Sequence, residues 1–186
     1  MKAVLISIQP KWCELIASGI KTVEVRKSKP KIETPFKVYI YETNWKDNSY
    51  YTVFHKETLG KVIGEFVCKA ILPISISYSD PNSRIALREF PFTCLSDKEI
   101  MDYLGNGKEG YGWCISDLVI YDKPKELSEF YRVCEKPECD DCPYLHFENT
   151  PNSYEGWCMV DEKTPLKRPP QSWCYVEELK EGASND

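Results

Sequence analysis

The sequence predicts an α/β (α+β) fold, a closed or nearly closed mixed β-barrel with a few short helices. Three observations carry that expectation. Short runs alternate at the period of a strand, as at Val4, Ile6 and Ile8 and again at Phe36, Val38 and Ile40. The helical stretches are brief and well punctuated, one opened by Pro10 and one by a Ser96–Glu99 capping box. A final strand in SWCYVEEL, paired beside the first, would close the sheet and remove its exposed edges.

The elements follow in order. After the first strand, Trp12, Leu15 and Ile16 form the apolar stripe of a short helix, and Ser18-Gly19 is a left-handed stop. Lys21, Glu24 and Arg26 then crowd six positions. On a strand, Lys21, Val23 and Val25 would face one way and Thr22, Glu24 and Arg26 the other. Lys21 therefore stands either on the turn itself or away from the Glu24–Arg26 face. The loop SKPKIETP leads to a strand at FKVYIY, followed by the long excursion ETNWKDNSYYTVFHKETLG. Its Trp45, Tyr50, Tyr51 and Phe54 either fold it back on the barrel or make it a lid.

KVIGEFVCKAIL is the longest strand candidate, with Gly64 marking a bulge and Glu65 standing in an otherwise apolar run. Pro73, Pro81 and Pro91 break the following stretch. The capped helix presents Ile100, Met101 and Leu104 and ends at Gly105, and a flexible turn spans Gly107 to Gly112. Tyr111 to Tyr121 reads as a strand stopped by Asp122-Lys123-Pro124, and YEGWCMV and SWCYVEEL read as two more. The expected organisation is one domain over residues 1–180, a Cys-rich insertion at about 131–158, and a disordered tail at 181–186.

The chain has 186 residues, enough for one domain with a real core, and a formal net charge of −5. That balance argues against a protein that coats duplex nucleic acid, which needs a broad basic face, and leaves room for a local basic cleft. Twelve tyrosines and five tryptophans are a heavy aromatic load. Lys2 is followed at once by strand-like sequence, so no secretory segment is expected, and no apolar run approaches membrane-spanning length. The expectation is a cytoplasmic protein with no membrane partner.

Nine cysteines without a secretory segment argue against a disulfide framework. Most of those beside apolar residues read as small buried hydrophobes. Cys134, Cys139 and Cys142 form C-x4-C-x2-C flanked by prolines, half of a closed tetrahedral site. The spacing predicts a structural Zn2+ with Cys158 or His146 as fourth ligand. No open position or further histidine points to catalytic zinc.

The run GIKTVEVR, preceded by SIQPKWCELIASG, resembles the amino-terminal signature of ASCH-domain proteins, Gly-x-Lys-x-x-Glu-x-Arg, within the PUA-like superfamily. The matching residues are Gly19, Lys21, Glu24 and Arg26, and GWCISDLVIYDKP resembles a later core strand of the family. The resemblance implies a PUA-like barrel with a charged cleft and a link to RNA or modified nucleosides.

Two functional readings follow, beside a third in which the domain is a regulatory interaction module without catalysis. In the first, Lys21 and Arg26, oriented by Glu24, contact phosphates or base edges of RNA or a nucleotide, with Trp12 stacking on a base. In the second the chain is an amidohydrolase or nuclease acting on a modified nucleoside or RNA. Some small ASCH-type proteins hydrolyse N4-acetylcytidine with a lysine, a threonine and a glutamate, and the resemblance puts the lysine on Lys21 and the carboxylate on Glu65. The threonine position is occupied here by Glu24, with Thr22 two places away, so the hydroxyl is missing. On residue type alone, Glu24 and Arg26 also read as a solvent-side ion pair of little energetic weight.

Overall fold

β1 (Lys2–Ile8) is apolar at both parities, and both of its faces are covered. Val4, Ile6 and Ile8 enter the main core, while Ala3 and Leu5 enter a second core with Phe130, Leu166 and Val176 on the opposite face. The computed structural model describes residues 1–44, 56–75, 91–133, 145–146, 157–158 and 165–179.

α1 (Pro10–Ala17) begins at its proline and buries Cys13 and Ile16 in the main core. It stops as its sequence predicts: Gly19 takes a φ of +74°, and its N–H donates to Ile16 O at 2.9 Å. The chain then forms β2 (Val23–Arg26), β3 (Phe36–Glu42), β4 (Val62–Ser75), α2 (Asp97–Leu104) and β5 (Glu109–Lys125). Two short strands, β6 (Leu145–His146) and β7 (Trp157–Cys158), pair only with each other among the described residues, and β8 (Trp173–Glu177) is the last described strand.

Six strands make one sheet in the order β2–β5–β4–β3–β1–β8. The β1–β3 pair is parallel and the other pairs are antiparallel. β8 lies beside β1, as the sequence predicts, with Leu5 opposite Cys174. The bulge expected at Gly64 is present, because register shifts on both sides of β4 fall there. Two further shifts along the β4–β5 ladder curl the sheet around the main core. Trp113 sits in that core fully buried, edge-on to Phe36.

The expected barrel is not formed. β2 and β8 are the two edges of the sheet, and no ladder joins them. β2 is only four residues long, and instead of a ladder the Arg26 side chain crosses from it to β1, donating from Nη2 to Ser7 O at 2.7 Å. A buried charged side chain, not a ladder, links this edge strand to β1.

The flexible turn expected over 107–112 is also shorter than its glycines suggest. Gly110 and Gly112 belong to β5. At Gly110 a Cβ would come within 2.5 Å of Leu104, so the bare backbone lets α2 pack directly on the strand. Leu95, Ile100, Met101 and Leu104 meet Val25 and Ile74 there in a third, small core.

Candidate functional site

The unclosed seam is a cleft of about 830 Å³. One side is the end of β1 and start of α1 (Ser7–Gln9, Trp12), with Thr43 and Asn44 after β3. The floor is Lys21 and Glu24–Arg26. Leu95 and the α2 face Glu99, Asp102 and Tyr103 form the facing wall, and Pro169–Gln171 stand before β8.

The floor is an ion triad. Glu24 Oε1 lies 2.9 Å from Arg26 Nη2 and Oε2 lies 3.3 Å from Lys21 Nζ. All three side chains are buried, Lys21 to 2 % exposure. The solvent-side pair that residue type alone suggests is therefore replaced by a desolvated one, which needs further hydrogen bonds to be tolerable. Lys21 precedes β2 and reaches the Glu24 side from the turn, which resolves the choice its sequence position leaves open. Its Nζ also donates to Val23 O at 2.9 Å and to Thr93 O at 2.6 Å. Three ammonium protons thus meet three acceptors. Arg26 differs: its Nε is buried with no partner among the described residues.

Trp12 is half-buried at the cleft wall, its ring centroid 5.3 Å from Lys21 Nζ. Asp102 and Tyr103, and Glu99 in any role beyond the capping box, are not singled out by the sequence reading, yet the signal is there. They fall at i, i+3 and i+4 on α2, opposite its buried Ile100, Met101 and Leu104. Nothing local could reveal that this helix stands across from Lys21. Ser96 Oγ accepts from Glu99 N–H at 3.3 Å and Glu99 Oε2 accepts from Ser96 N–H at 2.8 Å, completing the predicted capping box. The backbone and then the hydroxyl hydrogen bond from Ser96 lower the Glu99 pKa below its usual range. Burial first, then the charges of Glu42 and Glu24, push the Cys13 thiol well up, in keeping with a packing role.

Glu65 is not part of this cleft. Its Oε1 lies 2.9 Å from Lys37 Nζ, and Tyr121 donates its hydroxyl to Oε2. Burial and then that hydrogen bond raise the Tyr121 pKa. For Lys37, burial opposes the charged form, but the Glu65 hydrogen bond and charge outweigh it and raise the pKa. Lys21 and Glu65, which the resemblance would combine, are engaged in separate networks.

The zinc expectation is corrected. Among the described residues no group of three or more His, Cys, Asp or Glu side chains could hold a metal ion. Cys13, Cys68, Cys94, Cys114 and Cys174 are not in disulfides, and the first two and the last are buried. Cys134, Cys139 and Cys142 lie outside the described residues. Cys158 and His146 are described by backbone alone, in the β6–β7 pair that sets Leu145 opposite Cys158 and His146 opposite Trp157. The residues 45–55 of the aromatic excursion and the 181–186 tail are likewise outside the described residues. No described helix is long and apolar enough to cross a membrane.

A family model described as the ASCH domain matches residues 6–103, a span that includes α1, the whole ion triad and nearly all of α2. An ASCH structure from Zymomonas mobilis is similar at 22% identity, over 67% of this chain and 73% of that chain, with a TM-score of 0.50. A tyrosine-to-phenylalanine mutant of the Zymomonas mobilis protein aligns at 23% identity, over 68% and 77% of the two chains, with a TM-score of 0.49. A serine-to-alanine mutant gives 24%, over 67% and 74%, with a TM-score of 0.49. At such identity the first likeness concerns the fold alone. No curated protein matches the chain.

Proposed function

The chain belongs to the ASCH-domain family, and from that premise we propose that it binds a nucleotide or an unpaired RNA base in the seam cleft. The observation that carries the reading is Arg26. Its Nε is a buried donor without a partner among the described residues, at the floor of an open cleft. Leaving such a donor unmet costs about 1–3 kcal/mol, which an acceptor on a ligand would recover where binding turns the guanidinium toward the cleft. Arg26 supplies the edge contact, oriented by Glu24, and Trp12 offers a ring for stacking.

The charge of the lining narrows the ligand. Lys21 and Arg26 are outnumbered by Glu24, Glu99 and Asp102. Such a lining suits a neutral base better than a phosphate. The amidohydrolase reading is weaker, because a catalytic lysine needs an amine with capacity to spare. Lys21 meets Val23 O, Thr93 O and Glu24 instead.

Calorimetric titration with nucleosides, mononucleotides and short single-stranded RNA tests the proposal. Binding is expected, weakened by Trp12→Ala by about 1–3 kcal/mol, the usual worth of a stacked base, and by Arg26→Gln. Wild-type affinity in both variants, or no binding to any of these ligands, overturns it. Release of acetate from an acetylated nucleoside, lost in Lys21→Ala, would favour the hydrolase instead.

A further inference from the structure

We infer that the cleft opens onto a basic rim that holds the phosphates of a single-stranded nucleic acid whose base enters the cleft. This rests on reading the cleft as a base site and adds the polymer to it.

Two segments far apart in sequence form the rim. β2 ends at Arg26 and runs directly into Lys27-Ser28-Lys29-Pro30-Lys31. β8 is entered through Lys167-Arg168-Pro169-Pro170. Hydrogen bonds join the first run to β8 itself at one end of the seam. Trp173 Nε1 donates to Ser28 Oγ at 3.1 Å, and Lys31 N–H donates to Tyr175 Oη at 2.6 Å. Ser7 Oγ donates to Pro170 O at 2.7 Å, which fixes the second segment to the same Ser7 that receives Arg26.

The rim meets the cleft directly. Lys27 Nζ lies 5.1 Å from the ring of Tyr103 on the cleft wall, and Lys29 Nζ lies 5.4 Å from the ring of Tyr111, opposite Arg26 in the β2–β5 ladder. Pro169 and Pro170 themselves line the cleft.

Its charge is the reverse of the lining. Lys27, Lys29, Lys31, Lys167 and Arg168 are all exposed. Neither run contains a carboxylate, although the whole chain carries 29 acidic against 24 basic residues. None of the five belongs to an ion pair among the described residues. Ring contacts pre-orient Lys27 and Lys29, and the prolines restrict the two loops, so little ordering is left for the moment of binding. An acid-rich interior for the base and an acid-free rim for the backbone divide the work as nucleic-acid contacts usually divide, with phosphates positioning and bases specifying. A duplex keeps its bases stacked and cannot place one in the cleft, so the single strand is the matching form.

The test measures affinity against salt for a short single-stranded RNA and for the corresponding duplex. The wild type is compared with Lys29→Gln/Lys31→Gln/Lys167→Gln/Arg168→Gln and, separately, Trp12→Ala, with all three shown folded by thermal melting. Each lost phosphate contact lowers the slope of log affinity on log salt by about 0.7, so the quadruple variant should lose roughly 3. Trp12→Ala should weaken binding with its slope unchanged. An unchanged slope in the quadruple variant overturns the rim and leaves the cleft reading intact if Trp12→Ala still weakens binding. The opposite pattern, a lost slope with wild-type affinity in Trp12→Ala, keeps the rim and removes Trp12 as the stacking ring. Equal affinity for the duplex, or equal displacement by polyglutamate at matched charge, overturns the assignment to a single strand. No RNA binding by the wild type overturns both.

Discussion

Lys21 Nζ donates to the carbonyl oxygen of Thr93 at 2.6 Å, across 72 residues of sequence. That bond ties the turn before β2 to the segment leading into α2, the helix that carries Tyr103 and Asp102 to the cleft. The next residue, Cys94, has a φ of +59°, a left-handed conformation that few non-glycine residues adopt. Thr93 Oγ1 accepts from Leu95 N–H at 3.3 Å, and Ser96 caps the helix immediately after. Lys21 acts as a strut that sets where the cleft wall stands.

Replacing that strut with an apolar side chain of similar length tests the role. Lys21→Met leaves Val23 O and Thr93 O without their donor and Glu24 with Arg26 alone. Breaking a buried ion pair from one side costs about 3–5 kcal/mol, to be read by denaturant unfolding at fixed pH. Lys21→Arg should not restore it, because a planar fork cannot meet three acceptors arranged around one nitrogen. A loss no larger than an ordinary surface change, about 0.5 kcal/mol, would remove the strut.

Arg26→Lys tests the seam. The guanidinium reaches Glu24 Oε1 at 2.9 Å and Ser7 O at 2.7 Å, and also carries the unpartnered Nε. Both bonds come from the one Nη2, which lies a bond beyond the reach of a lysine Nζ, so at least one charge-assisted bond is lost, worth about 1.5–3 kcal/mol. Unfolding and ligand titration should both register the change. Unchanged stability would mean that the β2–β1 crossing contributes nothing to the seam.

Much of this fold can be read from periodicity and punctuation. Pro10, Gly19, Gly64 and the Ser96–Glu99 box each mark a local backbone event, and each event occurs at its expected place. What local pattern does not reveal is how the sheet ends meet. That β2 and β8 do not pair, and that the desolvated Arg26 links β2 to β1 instead, are non-local facts that alternation does not encode. The same limit applies to the site. The Lys21–Glu24–Arg26 spacing marks the floor of the cleft, but parity alone leaves Lys21 undecided, because the turn lifts it out of the strand register. The Lys37–Glu65–Tyr121 network is equally hidden, since its members are brought together from β3, β4 and β5.

The cysteines should separate by reactivity. Burial raises the Cys68 thiol to about 12 and the Cys13 thiol well above its ordinary value. The thiolate is the reactive species, so both should resist iodoacetamide in the folded protein at neutral pH and react once it is unfolded. Peptide mass spectrometry of native and denatured samples reads this site by site. Rapid native labelling of Cys13 would contradict its place on the buried face of α1.

Gly64→Ala should strain the bulge. A Cβ there would stand 2.4 Å from Val119 O and 3.1 Å from Ile120 Cα, both main-chain atoms of β5 that cannot rotate away. The β4–β5 ladder must shift to admit the methyl, at a cost of about 1–3 kcal/mol. A lowered melting temperature with the cleft still able to bind ligand is the expected result. A melting temperature equal to wild type would show that the close approach is not enforced.

The α2 cap gives the cleft wall a pH dependence of definite sign. Hydrogen bonds from the Ser96 backbone and hydroxyl lower the Glu99 pKa, so the folded protein holds this carboxylate ionised more strongly than the unfolded chain does. The stabilisation is complete above the usual carboxylate range and is lost as pH falls through the lowered folded value. Protonation removes the charged acceptor for Ser96 N–H, and α2 should fray at the end nearest Leu95. Hydrogen exchange of the amides at 97–100, corrected for intrinsic rate, should therefore rise on acidification. Glu99→Gln should show the raised exchange at neutral pH and little further change in acid, while Ser96→Ala should cost about 1 kcal/mol at neutral pH. Exchange that accelerates with acid to the same extent in Glu99→Gln as in the wild type would place the titrating group elsewhere.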